Sequence, residues 1–172
     1  MEHEKLAGIR MFVMDVDGVL TDSTLYFTEN GEWMKGFSTL DGSGIEFLHR
    51  SGITTAVITG RNSPSACARA RDLGIAHIYS GVSPKLPVFE KLLETAGISH
   101  EETAYIGDDL ADIPPMKASG VSFAPAESAR EAKEAADIVL TRSGGRGAVR
   151  EACEMILKAS GKWEALLKQF LQ

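Results

Sequence analysis

The feature that most constrains the fold is a short apolar run, residues 11–14, that ends abruptly in Asp15 and Asp17, followed by Gly18. Such a run is typical of a buried β-strand. Ligands of open α/β sheets bind just beyond the carboxyl ends of the strands, so the two carboxylates are expected where chemistry takes place. Two bare carboxylates this close would repel each other, and a divalent cation such as magnesium removes that cost. The alternative is an acidic turn in which one of them caps a helix.

Strands and helices alternate along the rest of the chain. Further strands are predicted over residues 53–58, 75–79, 103–106, 121–124 and 137–140. Helices are predicted between them, with starts at Ser63-Pro64 and at Lys85 after Ser83-Pro84. Asp41 to Gly44 is predicted as a loop before a short helix over 45–50. This alternation predicts a Rossmann-like α/β fold, a parallel sheet flanked by helices, and we expect one domain over residues 1–172 with a helical tail from 161.

One segment, residues 24–38, does not follow the alternation. Asn30-Gly31 between aromatic runs is a strong signal for a two-residue β-hairpin turn. The hairpin would carry more apolar surface than an isolated hairpin can hide, from Tyr26, Phe27, Trp33 and Phe37. We therefore expect it to pack against another subunit. The alternative is that it folds over its own domain.

Composition and charge limit the class of protein. The chain has 172 residues, 44% of them hydrophobic and 24% charged, which is ordinary for a soluble globular protein. No apolar run is long enough to cross a membrane, and the polar start lacks a signal peptide, so a cytoplasmic protein is expected. A net charge of −6 argues against nucleic-acid binding but permits a small anionic substrate. Cys67 and Cys153 are expected as free thiols, and the histidines show no zinc-ligand spacing.

Polar groups from four strand ends or helix starts meet at one predicted edge, and together they suit phosphoryl transfer. Asp15 can act as a nucleophile that forms an aspartyl phosphate, and Asp17 as the acid and then the base. Asp108, a carboxylate oxygen of Asp15 and the backbone carbonyl of Asp17 can hold Mg²⁺. Lys85 neutralises phosphate charge, and the Thr59 hydroxyl holds a phosphate oxygen.

Asp109 and Asp112 follow in the same segment, and we expect them to support the metal ligands from behind. Each residue alone has an ordinary explanation: Thr59 as a strand-end hydroxyl, Lys85 as a solvated lysine, Asp112 as a helix cap. Their occurrence together favours the catalytic interpretation.

These segments resemble the four motifs of the haloacid dehalogenase superfamily of phosphatases. The resemblance rests on residues 15–22, Thr59-Gly60-Arg61, Lys85 and residues 107–112, and it extends over nearly the whole chain. No room remains for a large cap domain, which implies a capless member. Further positions narrow the resemblance to members that hydrolyse the 8-phosphate of an eight-carbon keto sugar acid, in the supply of a lipopolysaccharide sugar. These positions are 30–32, 35–37, 41–45, 58–61, Arg69, 73–75 and 144–151.

The resemblance implies a homotetramer whose hairpins pack together at its centre, with each active site roofed by a neighbouring subunit. The glycine-rich loop around Arg146 and the tail would close over a neighbour's site. The sugar acid would be held by one segment and two arginines, namely Ser38, Thr39, Leu40, Asp41, Gly42, Arg61 and Arg69. The planar fork of arginine suits a substrate carboxylate. For Arg69 the alternative is a solvated helix face.

Other functions stay open at this point. The nearest alternative is the same chemistry on the 9-phosphate of a nine-carbon keto sugar acid. Arg61 directly after Thr59-Gly60, together with segment 144–151, favours eight carbons. A non-catalytic oligomerisation module is a remote alternative, and a dehalogenase is disfavoured because Asp17 and Asp108 serve leaving-group protonation and metal. Glu46 stands where many relatives carry a basic residue, and it would repel a substrate carboxylate unless it pairs with an arginine or points away.

Overall fold

A computed structural model describes residues 2–170, apart from the side chains at positions 2, 32 and 33. The strands are β1 (Met11–Met14), β2 (Tyr26–Thr28), β3 (Gly31–Met34), β4 (Thr54–Thr59), β5 (His77–Ser80), β6 (Thr103–Ile106), β7 (Val121–Ala124) and β8 (Ile138–Val139). The helices are α1 (Glu2–Ala7), α2 (Thr39–Arg50), α3 (Pro64–Asp72), α4 (Leu86–Ala96), α5 (Ile113–Ala118), α6 (Arg130–Ala135), α7 (Ala148–Ala159) and α8 (Trp163–Phe170), with a 3-10 helix at Leu110–Asp112.

Six strands form a parallel sheet in the order β5-β4-β1-β6-β7-β8. The predicted Rossmann-like α/β fold is therefore confirmed. β1 pairs with β4 on one side and with β6 on the other, so these three strands lie at the centre. Because they run parallel, their carboxyl ends meet at one edge, which is where the functional side chains collect.

The two faces of the sheet are covered by different helices, which explains why every residue of β1 and β6 is buried. On one face Phe12 and Met14 join a core that includes residues of α2 and α7. On the other, Met11 and Val13 pack in a second core with Phe89 of α4. Strand side chains alternate between faces, so β1, β4, β6 and β7 each contribute to both cores.

Helix α2 begins at Thr39, six residues before the predicted start, and this corrects the loop predicted for Asp41 to Gly44. Ser38 caps the helix by accepting a hydrogen bond from the backbone N–H of residue 40. The first turns of this helix were not predicted because they contain Gly42 and Gly44, and glycine is a weak helix former. A Cβ at Gly42 would lie 2.7 Å from Nη2 of Arg69, and one at Gly44 would lie 3.0 Å from the α7 backbone. Glycine thus permits the close packing of α2.

Two other boundaries differ from the predictions. Helix α1 was not predicted, since residues 1–5 show only polar composition. Helix α4 begins at Leu86, one residue after the predicted start, with Lys85 at its N-cap position and without a side-chain cap. Among the described residues, Cys153 is buried, Cys67 is half-buried and both are free thiols, as expected.

The predicted hairpin is present, but its turn lies one residue earlier. Thr28 pairs with Gly31, so Glu29 and Asn30 form the two-residue turn. Tyr26, Phe27 and Met34 are exposed. Phe37 lies against the core of its own domain, whereas the side chain at position 33 is outside the described part of the chain.

Helix α8 lies on its own chain. The Phe47 ring of α2 meets Phe170 at 5.4 Å and Trp163 at 6.3 Å between centroids, and Nη2 of Arg50 donates to Gln169 at 2.7 Å. Up to residue 170 the tail therefore packs on α2 and α7 of its own chain, and residues 171–172 lie outside the description. Across residues 2–170, none of the helices combines the length and apolarity that crossing a membrane requires.

Candidate active site

The carboxyl edge of the three central strands carries the predicted catalytic side chains. Thr59 ends β4, Asp15 directly follows β1, and Asp108 lies two residues beyond β6. Lys85 approaches from the loop that joins β5 to α4. A cavity of about 320 Å³ opens at this edge, and its lining includes Asp15, Asp17, Thr59, Arg61, Lys85, Asp108, Asp109 and Asp112.

Lys85 is the buried positive charge of the site. Its Nζ lies 2.9 Å from Oδ1 of Asp15 and 2.7 Å from Oδ1 of Asp112. Burial alone would lower the pKa of Lys85, but attraction to Asp15 and Asp112 outweighs it, so the pKa is raised. Lys85 therefore stays protonated at neutral pH, and it is not the solvated lysine considered as an alternative.

Asp112 is fully buried, and both of its carboxylate oxygens are used. Oδ1 accepts from Lys85 and, at 2.8 Å, from the Tyr105 hydroxyl. Oδ2 accepts from the backbone N–H groups of Asp108 at 3.2 Å and Asp109 at 3.4 Å. Asp112 thus holds the loop that carries Asp108, and Asp109 caps the 3-10 helix.

The residues present fit a divalent cation. Carboxylate oxygens of Asp15, Asp108 and Asp112 lie within 4.8 Å of one another. Burial first, and neighbouring carboxylates second, raise the pKa of Asp15 to about 7 and the pKa of Asp108 to about 8. Asp15 Oδ1 is buried and, within the described residues, accepts no well-directed hydrogen bond even though Lys85 lies beside it. Both carboxylate oxygens of Asp112 already accept hydrogen bonds, so Asp15 and Asp108 are the residues whose oxygens can bind a hard cation.

Asp17 is held by two cations. Nζ of Lys35 donates to Asp17 Oδ1 at 2.6 Å, and Nε of Arg61 donates to Oδ2 at 3.3 Å. Sequence reasoning assigned Arg61 to the sugar acid and gave Lys35 no role. The signal for Lys35 was weak, because only the folded hairpin brings it to Asp17. Tyr105 was also missed, although a tyrosine in a buried strand requires a polar partner.

The loop around Arg146 supports the turn that follows Asp15. A Cβ at Gly144 would collide with the backbone carbonyl of Gly18, and Gly145 N–H donates to the Val19 carbonyl at 2.9 Å. Gly18 has φ of +81°, and a Cβ there would collide with the Asp108 carboxylate. The turn therefore requires glycine.

Arg146 itself lies beside a second cavity. It donates to Asp22 at 3.2 Å and lines a space of about 390 Å³ that adjoins the first and shares Ser23 and Asp108 with it. The combined space suits a substrate larger than phosphate alone.

The carboxylate of Asp41, a predicted sugar contact, has hydrogen-bond partners within its own chain. Its carboxylate is buried and accepts from the N–H of Gly147 at 3.2 Å and of Arg150 at 2.9 Å. These N–H groups begin α7, whose N-cap residue Gly147 has no side chain to cap it. Asp41 thus joins the first turn of α2 to the start of α7.

Replacing Asp41 tests this helix-capping role. We expect Asp41→Ala to lower the free energy of unfolding by about 1–2 kcal/mol, because two buried N–H groups lose their acceptor. Asp41→Asn keeps one acceptor oxygen and is expected to lose less. Urea unfolding of both variants measures the difference. Wild-type stability of Asp41→Ala would contradict the assignment.

Other predicted sugar contacts lie apart from the carboxylates within one chain. Thr39, Gly42 and Arg69 line a separate cavity of about 310 Å³. Arg69 also pairs with Asp72 at 2.6 Å. Ser38 acts as the α2 cap, and Leu40 is exposed. A single chain therefore does not bring this set to the phosphate site.

Glu46 lines the same separate cavity as Arg69. Its Oε1 lies 3.9 Å from Nη1 of Arg50, one helical turn further along α2. Glu46 therefore has an arginine partner, Arg50, and this pairing reduces the repulsion that its carboxylate would exert on the carboxylate of a sugar acid nearby.

Comparisons with known proteins agree with this geometry. Residues 35–120 match the model of the haloacid dehalogenase-like hydrolase family. A 3-deoxy-D-manno-octulosonate 8-phosphate phosphatase of Haemophilus influenzae is 45% identical over 159 residues, covering 92% of this chain and 88% of the relative. The Moraxella catarrhalis phosphatase of that name, solved with magnesium, phosphate and KDO, superposes with a TM-score of 0.95 at 39% identity, covering 98% and 97% of the two chains. The cobalt-bound Haemophilus influenzae enzyme gives a TM-score of 0.94 at 44% identity, covering 98% and 99%.

The chain belongs to the haloacid dehalogenase-like hydrolase family, whose expected fold and carboxylate edge are both present. Within that family it is similar over almost its whole length to the 3-deoxy-D-manno-octulosonate 8-phosphate phosphatases.

Proposed function

We propose that this protein is a Mg²⁺-dependent phosphatase that hydrolyses 3-deoxy-D-manno-octulosonate 8-phosphate to the free sugar acid and phosphate, in the supply of lipopolysaccharide precursors. The observation that carries the proposal is Asp15, buried at a strand end between Lys85 and Asp108. The relatives with this name, and the KDO and phosphate bound by one of them, support the choice of substrate. No described helix spans a membrane, and we place the protein in the cytoplasm.

The first step transfers the phosphoryl group to Asp15. A carboxylate oxygen of Asp15 bonds to phosphorus while the bond from phosphorus to the C8 oxygen breaks, and Asp17 gives that oxygen its proton. Lys85 offsets the negative charge on the transferring group, and the Thr59 hydroxyl donates to one of its oxygens.

The second step frees Asp15. Asp17, now ionised, takes a proton from water as the water oxygen bonds to phosphorus. The bond between phosphorus and Asp15 breaks, so inorganic phosphate leaves and the carboxylate is restored. Asp112 keeps Lys85 and the Asp108 loop in position throughout.

Asp15 and Asp108, with the backbone carbonyl of Asp17, are the proposed ligands of Mg²⁺. When bound, Mg²⁺ supplies positive charge that screens the carboxylates from the phosphate dianion. The raised pKa values of Asp15 and Asp108 fit this role, because burial and the neighbouring carboxylates disfavour both negative charges and a bound cation would offset that cost.

We also propose that a homotetramer completes the site. Four predicted sugar contacts lie apart from the carboxylates of their own chain, namely Ser38, Thr39, Leu40 and Arg69. This arrangement favours a neighbouring subunit as the source of the contacts to the sugar. Arg61 and Arg146 border the cavities of the phosphate site and are positioned to meet the sugar acid. The exposed apolar hairpin supplies the contact surface.

The hairpin contact is tested by placing a charge on it. Phe27 is 63% exposed, and Phe27→Glu is expected to shift the assembly to dimers or monomers in light scattering, because a buried carboxylate is costly. Val139→Glu, at the sheet edge and 48% exposed, is the matched control and should leave the mass unchanged. A wild-type mass for Phe27→Glu would rule out the hairpin as the contact.

Kinetics on defined substrates test the function. We expect kcat/KM to be highest on the eight-carbon 8-phosphate and to require Mg²⁺. A higher kcat/KM on the nine-carbon 9-phosphate would show that this compound, and not the eight-carbon one, is the substrate. Tetramers that hydrolyse neither compound would indicate a non-catalytic assembly module.

A further inference from the structure

We infer that Lys35, on the hairpin, is a positioning residue for the acid–base group Asp17. This inference rests on the proposed function and deepens it. Lys35 directly follows β3, and its side chain has no solvent exposure, yet its Nζ lies 2.6 Å from Asp17 Oδ1. A lysine so fully buried is rare unless it is paired with an acid. Here the paired acid is Asp17, the proposed general acid and base of the reaction.

The two cations on Asp17 differ in how firmly they are fixed. Arg61 is 46% exposed and lies 3.3 Å from Oδ2, whereas Lys35 is enclosed by protein. Arg61 can therefore turn to an anionic substrate without leaving a buried charge unpaired. Lys35 cannot turn away in this manner, so its ion pair with Asp17 persists when substrate is bound.

The pairing also separates the roles of the two carboxylate oxygens. Lys35 occupies Oδ1, which leaves Oδ2 as the oxygen that gives its proton to the leaving group and later takes one from water. With one oxygen fixed, the carboxylate plane keeps a constant orientation toward the reacting atoms. Proton transfer depends steeply on such orientation, so loss of Lys35 should slow the chemistry rather than weaken binding.

A comparison of leaving groups tests the inference. An alkyl phosphate needs its leaving oxygen protonated, whereas p-nitrophenolate departs without a proton. For Lys35→Met we expect kcat/KM on the sugar phosphate to fall by about 10–100-fold, and on p-nitrophenyl phosphate by less than about threefold. Lys35→Gln should behave alike, Lys35→Arg should recover part of the loss, and the inhibition constant of inorganic phosphate should change little.

Lys133→Met is the matched control, because Lys133 is half-buried, donates to the backbone carbonyl of Ala126 at 3.4 Å and lies outside the lining of both cavities of the site. It should match the wild type on both substrates. Equal fractional losses on the two substrates by the Lys35 variants would overturn the inference, because a purely structural role would lower both. Failure of both neutral variants to fold, with Lys35→Arg folded, would also overturn it.

The outcome is separable from that of the proposed function. If the wild type fails on the eight-carbon substrate, the proposed substrate is wrong. The comparison of leaving groups then still tests Lys35 on any alkyl phosphate that the wild type hydrolyses.

Discussion

Asp15→Asn should lower turnover by at least about 10⁴-fold, because an amide cannot attack phosphorus and no other described side chain takes its position between Lys85 and Asp108. The remaining binding groups are unchanged, so the variant should still bind inorganic phosphate. Initial rates with the sugar phosphate and Mg²⁺ measure the loss. Glu131→Gln, an exposed change on α6, is the control and should retain full activity.

The same variant should not lose stability. The pKa of Asp15 is raised from 3.8 to about 7 in the fold, so the native protein holds this proton more tightly than the unfolded chain does. Its contribution to stability is therefore complete below about pH 4 and is lost as the pH rises through 7. Above pH 7, without metal, the neutral asparagine should give an equal or higher free energy of unfolding. Turnover above about one per cent of wild type in a folded variant would exclude Asp15 as the nucleophile.

Removal of the divalent cation should have the second-largest effect. Chelation should reduce kcat by about 10³-fold or more, because the phosphate dianion would then face the carboxylates of Asp15 and Asp108 unscreened. Added Mg²⁺ should restore the rate. Asp108→Asn should be folded but respond poorly to Mg²⁺.

The affinity for Mg²⁺ should depend on pH in a defined direction. The pKa values of Asp15 and Asp108, about 7 and about 8, mean that cation binding displaces protons at neutral pH. Affinity should therefore rise at least tenfold between about pH 6 and about pH 8 and level off above about pH 9, where both carboxyls have lost their protons. Calorimetry in buffers of different ionisation enthalpy measures the released protons. Affinity that is independent of pH would contradict the raised pKa values.

The residues proposed to contact the phosphate and the metal were predictable from the sequence, because the carboxyl ends of parallel strands lie at one edge of the sheet. Asp15, Thr59 and Asp108 each follow an apolar run, so their proximity needs only the sheet order. Lys85 was predicted from its place at a helix start, and the helix begins one residue later than predicted.

The contacts that could not be predicted depend on tertiary packing. Asp41 caps a helix that begins more than a hundred residues later, and only the close approach of α2 to α7 permits this. The contact from Lys35 to Asp17 depends on how the hairpin folds back. Gly42 and Gly44 look like loop residues, and their use as close-packing helix positions becomes visible only with their neighbours.

Reductive trapping of the phosphorylated enzyme tests the central claim most directly. Borohydride converts an acyl phosphate to an alcohol, so an enzyme quenched during turnover with Mg²⁺ should yield a peptide with homoserine in place of Asp15. The Asp15→Asn variant and a substrate-free sample should not. Homoserine at another aspartate, or none at position 15 during rapid turnover, would contradict the account.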